Sequence, residues 1–358
     1  MDRVKRLMSN IDADAIVIMN GTSPFLDSVF WYLTEQRSGT FEGTIAIASD
    51  DGLDVIVNKL EETSARGGSG NIHVFETRDE REQMLKDILK GKSRIGMNVH
   101  SVSYAAAEYI KKLSGSSIVD VTKGIHDTIS VKDRKELSAI KDACKISSKT
   151  ASSIHNELNE GMTEKEVAAW IDTDMRNNGA EGNAFDTIAA FGEYSAEPHH
   201  RPCERELKKG DTALFDFGCK VSLYSSDLTR TVFFGEPPEI LKRAYKVVAE
   251  AKEAGMLKIA DGIPAKEADL AAREVIDATE FKGKFIHSFG HGIGMDVHEG
   301  TSLSHISKDI LKENMVVSAE PGIYIPGVGG IRIEDTVLVK KNGCMSLTEF
   351  DQSMTVIQ

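Results

Sequence analysis

Short apolar runs broken by glycine and polar turns dominate the first third of the chain. AIVIM (15–19) reads as a short buried strand. TIAIASDDGLDVIVNK (44–59) sets two apolar runs around Asp-Asp-Gly, a hairpin signal. YAAAEYIKKLS (104–114) reads as a helix. These elements describe a small mixed α/β unit over residues 1–125, without an acid–base or metal constellation, its charges mostly a solvated face. From Ser130 the period changes. Leu137, Ile140, Cys144, Ser147, Ala151, Ile154 and Leu158 step by three and four, placing them on one face of a long helix. Gly161 stops that helix, Thr163 opens another with Glu166 in the capping-box position, and Gly179 closes it.

That order of elements recurs within residues 126–358. GMTEKEV (161–167) is echoed by GIPAKEA (262–268), each after a long helical stretch and before a second helix. Each is followed by two strand-like segments carrying acids, DTALFDFGCKV and YSSDLTRTVFF in one half, MVVSAEPGIYI and GGIRIEDTVLV in the other. A duplicated domain with pseudo-two-fold halves is expected.

Asp216, Asp227, Glu320 and Glu334 sit in these apolar, β-branched or aromatic contexts. Carboxylates are rarely buried unless paired, strongly hydrogen-bonded or bound to metal. One such acid reads most simply as a strand-end or salt-bridged residue; four in two matched hairpins do not. FGHGIGMDVHEG (289–300) adds His291 and His298. Zinc-protease histidines in His-Glu-x-x-His lie one helical turn apart. The wider, glycine-filled gap here does not put both rings on one short helix face, and leaves open whether they share a task. Four carboxylates and one imidazole suit two divalent ions, with oxygen-rich ligation fitting Mn, Co or Zn better than Cu. Two ions ~3.5–4 Å apart can activate a shared water and stabilise the oxyanion it creates, a design for hydrolysing a peptide bond.

Composition narrows the reading further. A length of 358 residues suggests about two domains. The formal net charge of -13 argues against a nucleic-acid or anionic-membrane partner. No run approaches the ~20 apolar residues of a membrane span, and MDRVKRLMSNIDADAIVIMNG has too short an apolar stretch for a signal peptide. Cys144, Cys203, Cys219 and Cys344 form no Cys-x-x-Cys pair. A reduced, soluble, cytoplasmic protein is expected. GHGIG lacks the last glycine of a dinucleotide fingerprint, GKS (91–93) lacks the first glycine of a phosphate loop, and no Gly-x-Ser-x-Gly elbow is present.

In order along the chain, AFDTIAAFG…PHH, DFG, SDLTRT, GHGIGMDVHE, SAEPGIY and RIEDT resemble the motifs of the pita-bread metallopeptidases. FWYLTEQRSGTFEG (30–43) resembles the N-terminal domain of the creatinase/prolidase/aminopeptidase P branch, which methionine aminopeptidases lack. The likeness implies an α/β (α+β) architecture, a creatinase-like N-terminal domain followed by a pita-bread domain. It implies that Asp216 binds one metal ion in bidentate fashion, that Asp227 and Glu334 bridge, and that His291 and Glu320 complete the second site. His199 and His298 resemble the non-ligand histidines that hydrogen-bond substrate and tetrahedral intermediate, and Glu320 is also the candidate proton shuttle. On this reading His291 binds metal and His298 meets substrate, while the glycines between them let the backbone pass close to the metal centre. Arg332 is expected to orient carboxylates; His200 and His287 are taken as structural. All five ligands are present, which argues against a metal-independent amidinohydrolase.

Both activities implied by the branch cut before proline, whose fixed φ and missing N–H exclude ordinary peptidases. Strict prolidases of the family tend to carry an Arg after the second histidine, suited to a dipeptide carboxylate. HEGTSLSH carries none, which favours an Xaa-Pro aminopeptidase of the aminopeptidase P type, although Arg201 could serve instead. A prolidase (Xaa-Pro dipeptidase) is the alternative, and a non-catalytic peptide-binding module a third. The branch also implies a homodimer in which the partner's N-terminal domain rims the site, with the stretch around Trp31 and Tyr32 as the candidate contribution.

Overall fold

The structure, a computed structural model, describes residues 3–23, 25–349 and 353–358. It divides into two compact units, Met1–Ile129 and Ser130–Gln358. No helix among the described residues is long and apolar enough to cross a membrane.

The N-terminal unit is built on a six-stranded mixed sheet, in the order Asn71–Phe75, Gly52–Asn58, Ile45–Ser49, Ala15–Met19, Arg94–Met97, Ser117–Asp120. Ser49 pairs with Gly52, so the expected hairpin closes through Asp50 and Asp51 alone. The Tyr104–Ser114 helix starts at a Ser103 cap and ends on left-handed Gly115. The unit runs to Ile129 because the Thr122–Ile129 helix buries Ile125 and Ile129, and Arg6 and Asn10 both bond to Thr128. Tyr32 corrects an expectation. It is 1% exposed, under the Arg3 guanidinium at 4.7 Å, so this ring is core of its own unit and offers nothing to a partner.

In the C-terminal unit the predicted helix face is buried along Ile140, Cys144, Ser147, Ala151 and Ile154. The Arg134–Glu157 helix ends at Leu158, a little before Gly161. Thr163 and Glu166 form the reciprocal capping box of the Glu164–Asn177 helix. The second half repeats the arrangement with helices Glu239–Met256 and Lys266–Asp277, although Ala265 gives the latter no side-chain cap.

The duplication is written in backbone hydrogen bonds. Gly161 donates to Leu207 O and Leu207 to Met162 O; in the second half Gly262 donates to Leu311 O and Leu311 to Ile263 O. Each half then supplies an antiparallel strand pair, Asp211–Phe217 with Leu228–Phe234 and Val316–Ala319 with Asp335–Lys340. The innermost pairs are Phe217 with Leu228 and Ala319 with Asp335. Asp216, Asp227, Glu320 and Glu334 flank those two rungs, so symmetry gathers the acids. The halves are stitched where they meet, by Glu334 N to Thr229 O (3.1 Å) and by Thr336 Oγ1 to Asp227 O (2.7 Å).

Candidate active site

The four hairpin acids open on a cleft of about 1060 Å³ in the C-terminal unit. His199, His287, His291, His298, Arg201 and Arg332 line it with them. The cleft therefore brings together every site residue expected from the sequence.

Glu334 is 1% and Asp227 4% exposed, and Asp227, His291 and Glu334 each offer a ligand atom within 4.8 Å of the others. His291 Nδ1 faces Gly292 O at 3.2 Å, and donation there leaves Nε2 to meet Glu320 Oε1 at 3.1 Å and Asp227 Oδ2 at 3.5 Å. Ser318 Oγ accepts from His291 N (2.9 Å) and donates to Glu320 Oε1 (3.1 Å), fixing both residues to one strand end.

Arg332 holds the other side. Its Nη2 donates to Asp216 Oδ2 at 2.5 Å, Nη1 to Tyr324 OH at 2.9 Å, and Nε to Thr229 Oγ1 at 3.1 Å. Thr229 Oγ1 in turn donates to Glu334 Oε2 at 2.6 Å. Tyr324 OH, accepting from Arg332, donates to His287 Nε2 (2.8 Å), while His287 Nδ1 donates to Ser288 O (2.8 Å). Sequence reasoning set His287 aside as structural, yet it lines the cleft, 4.0 Å from Glu320. Tyr324 and Thr229 were missed because a lone tyrosine or threonine in a strand carries no signal of its own.

Charge in the cluster is poorly balanced. Burial, then repulsion from Glu334 and Asp216, holds the Asp227 carboxyl well above its ordinary range; burial, then Glu320 and Asp216, does the same to Glu334. Burial raises Asp216 despite Arg332. Burial opposes charge on Glu320 and His291 too, but their mutual hydrogen bond prevails, drawing Glu320 down to about 2 and His291 up to about 9. Asp216 Oδ1 and Glu334 Oε1 are buried with no hydrogen-bond partner. Buried carboxylate oxygens without a donor are costly, and hard oxygen atoms beside one imidazole are a donor set for divalent cations. The residues fit such ions.

His298 does not join the ligand atoms. It is exposed, with its ring centroid 4.1 Å from that of His291. The glycines of this stretch have a different reason from the one expected. A Cβ on Gly290 would lie 2.1 Å from Ser318 O, and one on Gly292 2.0 Å from Glu299 O. They let the loop press against its own neighbours, where Glu299 forms a buried ion pair with Lys132.

A second cluster lies beside His199. Glu164, 0% exposed, receives His200 Nε2 (2.8 Å), Cys203 N (3.0 Å) and Phe191 N (2.8 Å). His200, taken as structural, is tied to Glu164 although it too lines the cleft, and the sequence did not single out Glu164.

Residues 138–341 match the metallopeptidase family M24, and residues 1–129 the creatinase/prolidase N-terminal domain. The chain belongs to metallopeptidase family M24. This M24 chain is 35% identical to an Xaa-Pro dipeptidase of Pyrococcus furiosus, over 99% of each chain. It resembles the crystal structure of an X-Pro aminopeptidase from Thermotoga maritima, with TM-score 0.90 and 32% identity over 99% of this chain and 100% of that one. A prolidase structure from Pyrococcus horikoshii gives TM-score 0.90 and 34% identity over the same shares. Creatinase-like and M24 domains in one chain, with the duplicated halves described above, give the fold expected from the sequence. Membership of M24 makes the protein a metallopeptidase and implies divalent metal ions.

Proposed function

We propose that the protein hydrolyses the bond between an N-terminal residue and proline, as a dinuclear-metal Xaa-Pro peptidase. The observation that carries this reading is the orphaned pair of buried oxygens, Asp216 Oδ1 and Glu334 Oε1, within a set of four carboxylates and one imidazole. Asp216, Asp227, His291, Glu320 and Glu334 would hold two ions, of Mn, Co or Zn. When bound, such ions supply Lewis acidity and an activated water.

The remaining chemistry belongs to side chains. Glu320, ionised and tied to Ser318 and His291, takes a proton from the attacking water and returns it to the proline nitrogen as the bond breaks. His298 and His199, exposed on the cleft wall, donate to the scissile carbonyl oxygen as it gains charge. Arg332 keeps Asp216 and, through Thr229, Glu334 in the orientation their ligand atoms need.

The missing Arg in HEGTSLSH favours an aminopeptidase, whereas the dipeptidase and prolidase names of similar proteins favour a dipeptidase. We place more weight on the dipeptidase reading, because the cleft has a cation elsewhere. The deciding measurement compares hydrolysis of an Xaa-Pro dipeptide, an Xaa-Pro-Xaa tripeptide and a proline-free tripeptide by Mn-, Co- or Zn-loaded protein. Turnover of the dipeptide is expected. Cleavage of the proline tripeptide alone would restore the aminopeptidase, and no turnover with any metal would sink the peptidase reading in favour of a binding module. We further place the protein in the cytoplasm, where its free cysteines stay reduced, as a homodimer; sedimentation showing a fully active monomer would remove the latter.

A further inference from the structure

Two arginines line the cleft, and only one is committed. Arg332 is 2% exposed, with every guanidinium nitrogen engaged by Asp216, Tyr324, Pro198 or Thr229. Arg201 is exposed and has no hydrogen bond or ion pair with any described residue. Among the described residues, no lysine lines the cleft. Of the described residues lining this cavity, whose floor carries Asp216, Asp227, Glu320 and Glu334, Arg201 is the one guanidinium free to meet an incoming anion.

Its backbone is held while its side chain is not. His200, the residue before it, is bonded to Glu164 Oε2 at 2.8 Å, and Cys203, two residues after, donates its N–H to the same oxygen at 3.0 Å. Glu164 is itself anchored by Phe191 N at 2.8 Å. The segment that displays His199 and Arg201 is thus pinned from behind on both sides of Arg201, which reduces the ordering cost of binding at its tip. A guanidinium fork is the side chain best matched to a carboxylate.

The substrate has a carboxylate only at its end. With the scissile bond over the acid cluster, the terminal carboxylate of a dipeptide lies one residue beyond it, where a longer peptide presents a neutral amide. The Arg201 guanidinium on the cleft wall is the unpaired charge that matches that carboxylate. We propose that Arg201 recognises the free C-terminal carboxylate of a dipeptide substrate and so sets a preference for dipeptides over longer chains. This rests on the Xaa-Pro peptidase reading above and names the specificity residue of that site.

The test uses full-length metal-loaded protein, wild type, Arg201→Gln and Arg201→Lys, with an Xaa-Pro dipeptide and the same dipeptide as its C-terminal amide. Arg201→Gln is expected to raise KM for the dipeptide about tenfold, the scale of one hydrogen-bonded charge contact, with kcat largely kept. The amide should change by less than about twofold, and Arg201→Lys should recover part of the loss. Equal changes on dipeptide and amide, or none on either, would overturn the proposal. Calorimetric binding of dipeptide against amide reads the same ratio without turnover. If wild-type protein hydrolyses neither peptide, the functional reading falls, while carboxylate recognition by Arg201 stands or falls on that binding ratio alone.

Discussion

Asp227, His291 and Glu334 bring ligand atoms to within 4.8 Å of one another, and so do Glu164, His200 and Cys203. In the second group each polar atom already has a partner. Glu164 Oε1 accepts from Phe191 N, Oε2 from His200 and Cys203, and His200 Nδ1 reaches Glu197 at 3.1 Å. In the first, Glu334 Oε1 and the neighbouring Asp216 Oδ1 are buried without a donor, and the carboxyls push each other towards the neutral form. Closeness is the same in both, and each joins a carboxylate to an imidazole, the third member being a thiol in one and a second carboxylate in the other. Unmet hydrogen-bonding capacity and uncompensated charge are what separate a place for cations from a structural latch.

The comparison breaks most visibly at Asp227. Asp227→Ala should abolish metal binding and lower activity by about three orders of magnitude or more, a scale of metal-assisted catalysis. Metal content by elemental analysis decides: full occupancy with full activity in that variant would refute the ligand assignment. Glu164→Gln should behave in the opposite way. It leaves metal stoichiometry unchanged but costs about 3–5 kcal/mol of stability, because a buried charge loses its match; denaturant unfolding measures it. Loss of metal from Glu164→Gln with unaltered stability would erase the distinction drawn here.

Dependence on pH sharpens the same contrast. In metal-free protein, His291 is raised from 6.5 to about 9, so its contribution is present below pH 6.5 and fades as pH climbs towards 9. Asp227 and Glu334 are acids raised above their ordinary values; the fold binds their protons more tightly than the unfolded chain, so stability again falls as pH rises through that window. Glu320, drawn from 4.5 down to about 2, gives the opposite slope, but only below pH 4.5. Bound metal competes with those protons, so its stabilisation grows with pH. His200 is also raised, by Glu164 and Glu197 against the cost of burial, and contributes equally in both forms. The gap in Tm between loaded and stripped protein should widen as pH rises from 5 to 8, an interval set by these carboxyl and imidazole shifts. A constant gap would mean that protons and metal do not share the site. The smallest effect is the shift in KM at Arg201.

Much of this was legible before the fold. The AIVIM strand, the Asp-Asp-Gly hairpin and the Thr163–Glu166 capping box depend on neighbours along the chain, where periodicity and turn chemistry act directly. Asp216, Asp227, Glu320 and Glu334 stood out because an acid in an apolar strand contradicts its surroundings. Tyr324, Thr229 and Glu164 did not, since each looks ordinary in its own segment and gains meaning only from partners that folding brings to it. Tyr32 misled for the converse reason: an aromatic beside an N-terminal motif reads alike whether it faces solvent or the core, and only packing under Arg3 settles it.

The order of motifs along 358 residues was enough by itself to determine the family, the duplicated halves and the acids that meet between them. Tertiary structure decided which of those acids keep unpaired oxygens, which histidine turns its Nε2 to the cluster, and which arginine remains free. Those properties belong to hydrogen bonds closed or left open in the folded chain. Some of them, such as Arg332 to Asp216 and Thr229 to Glu334, join residues more than a hundred positions apart, and local sequence has no term for such bonds.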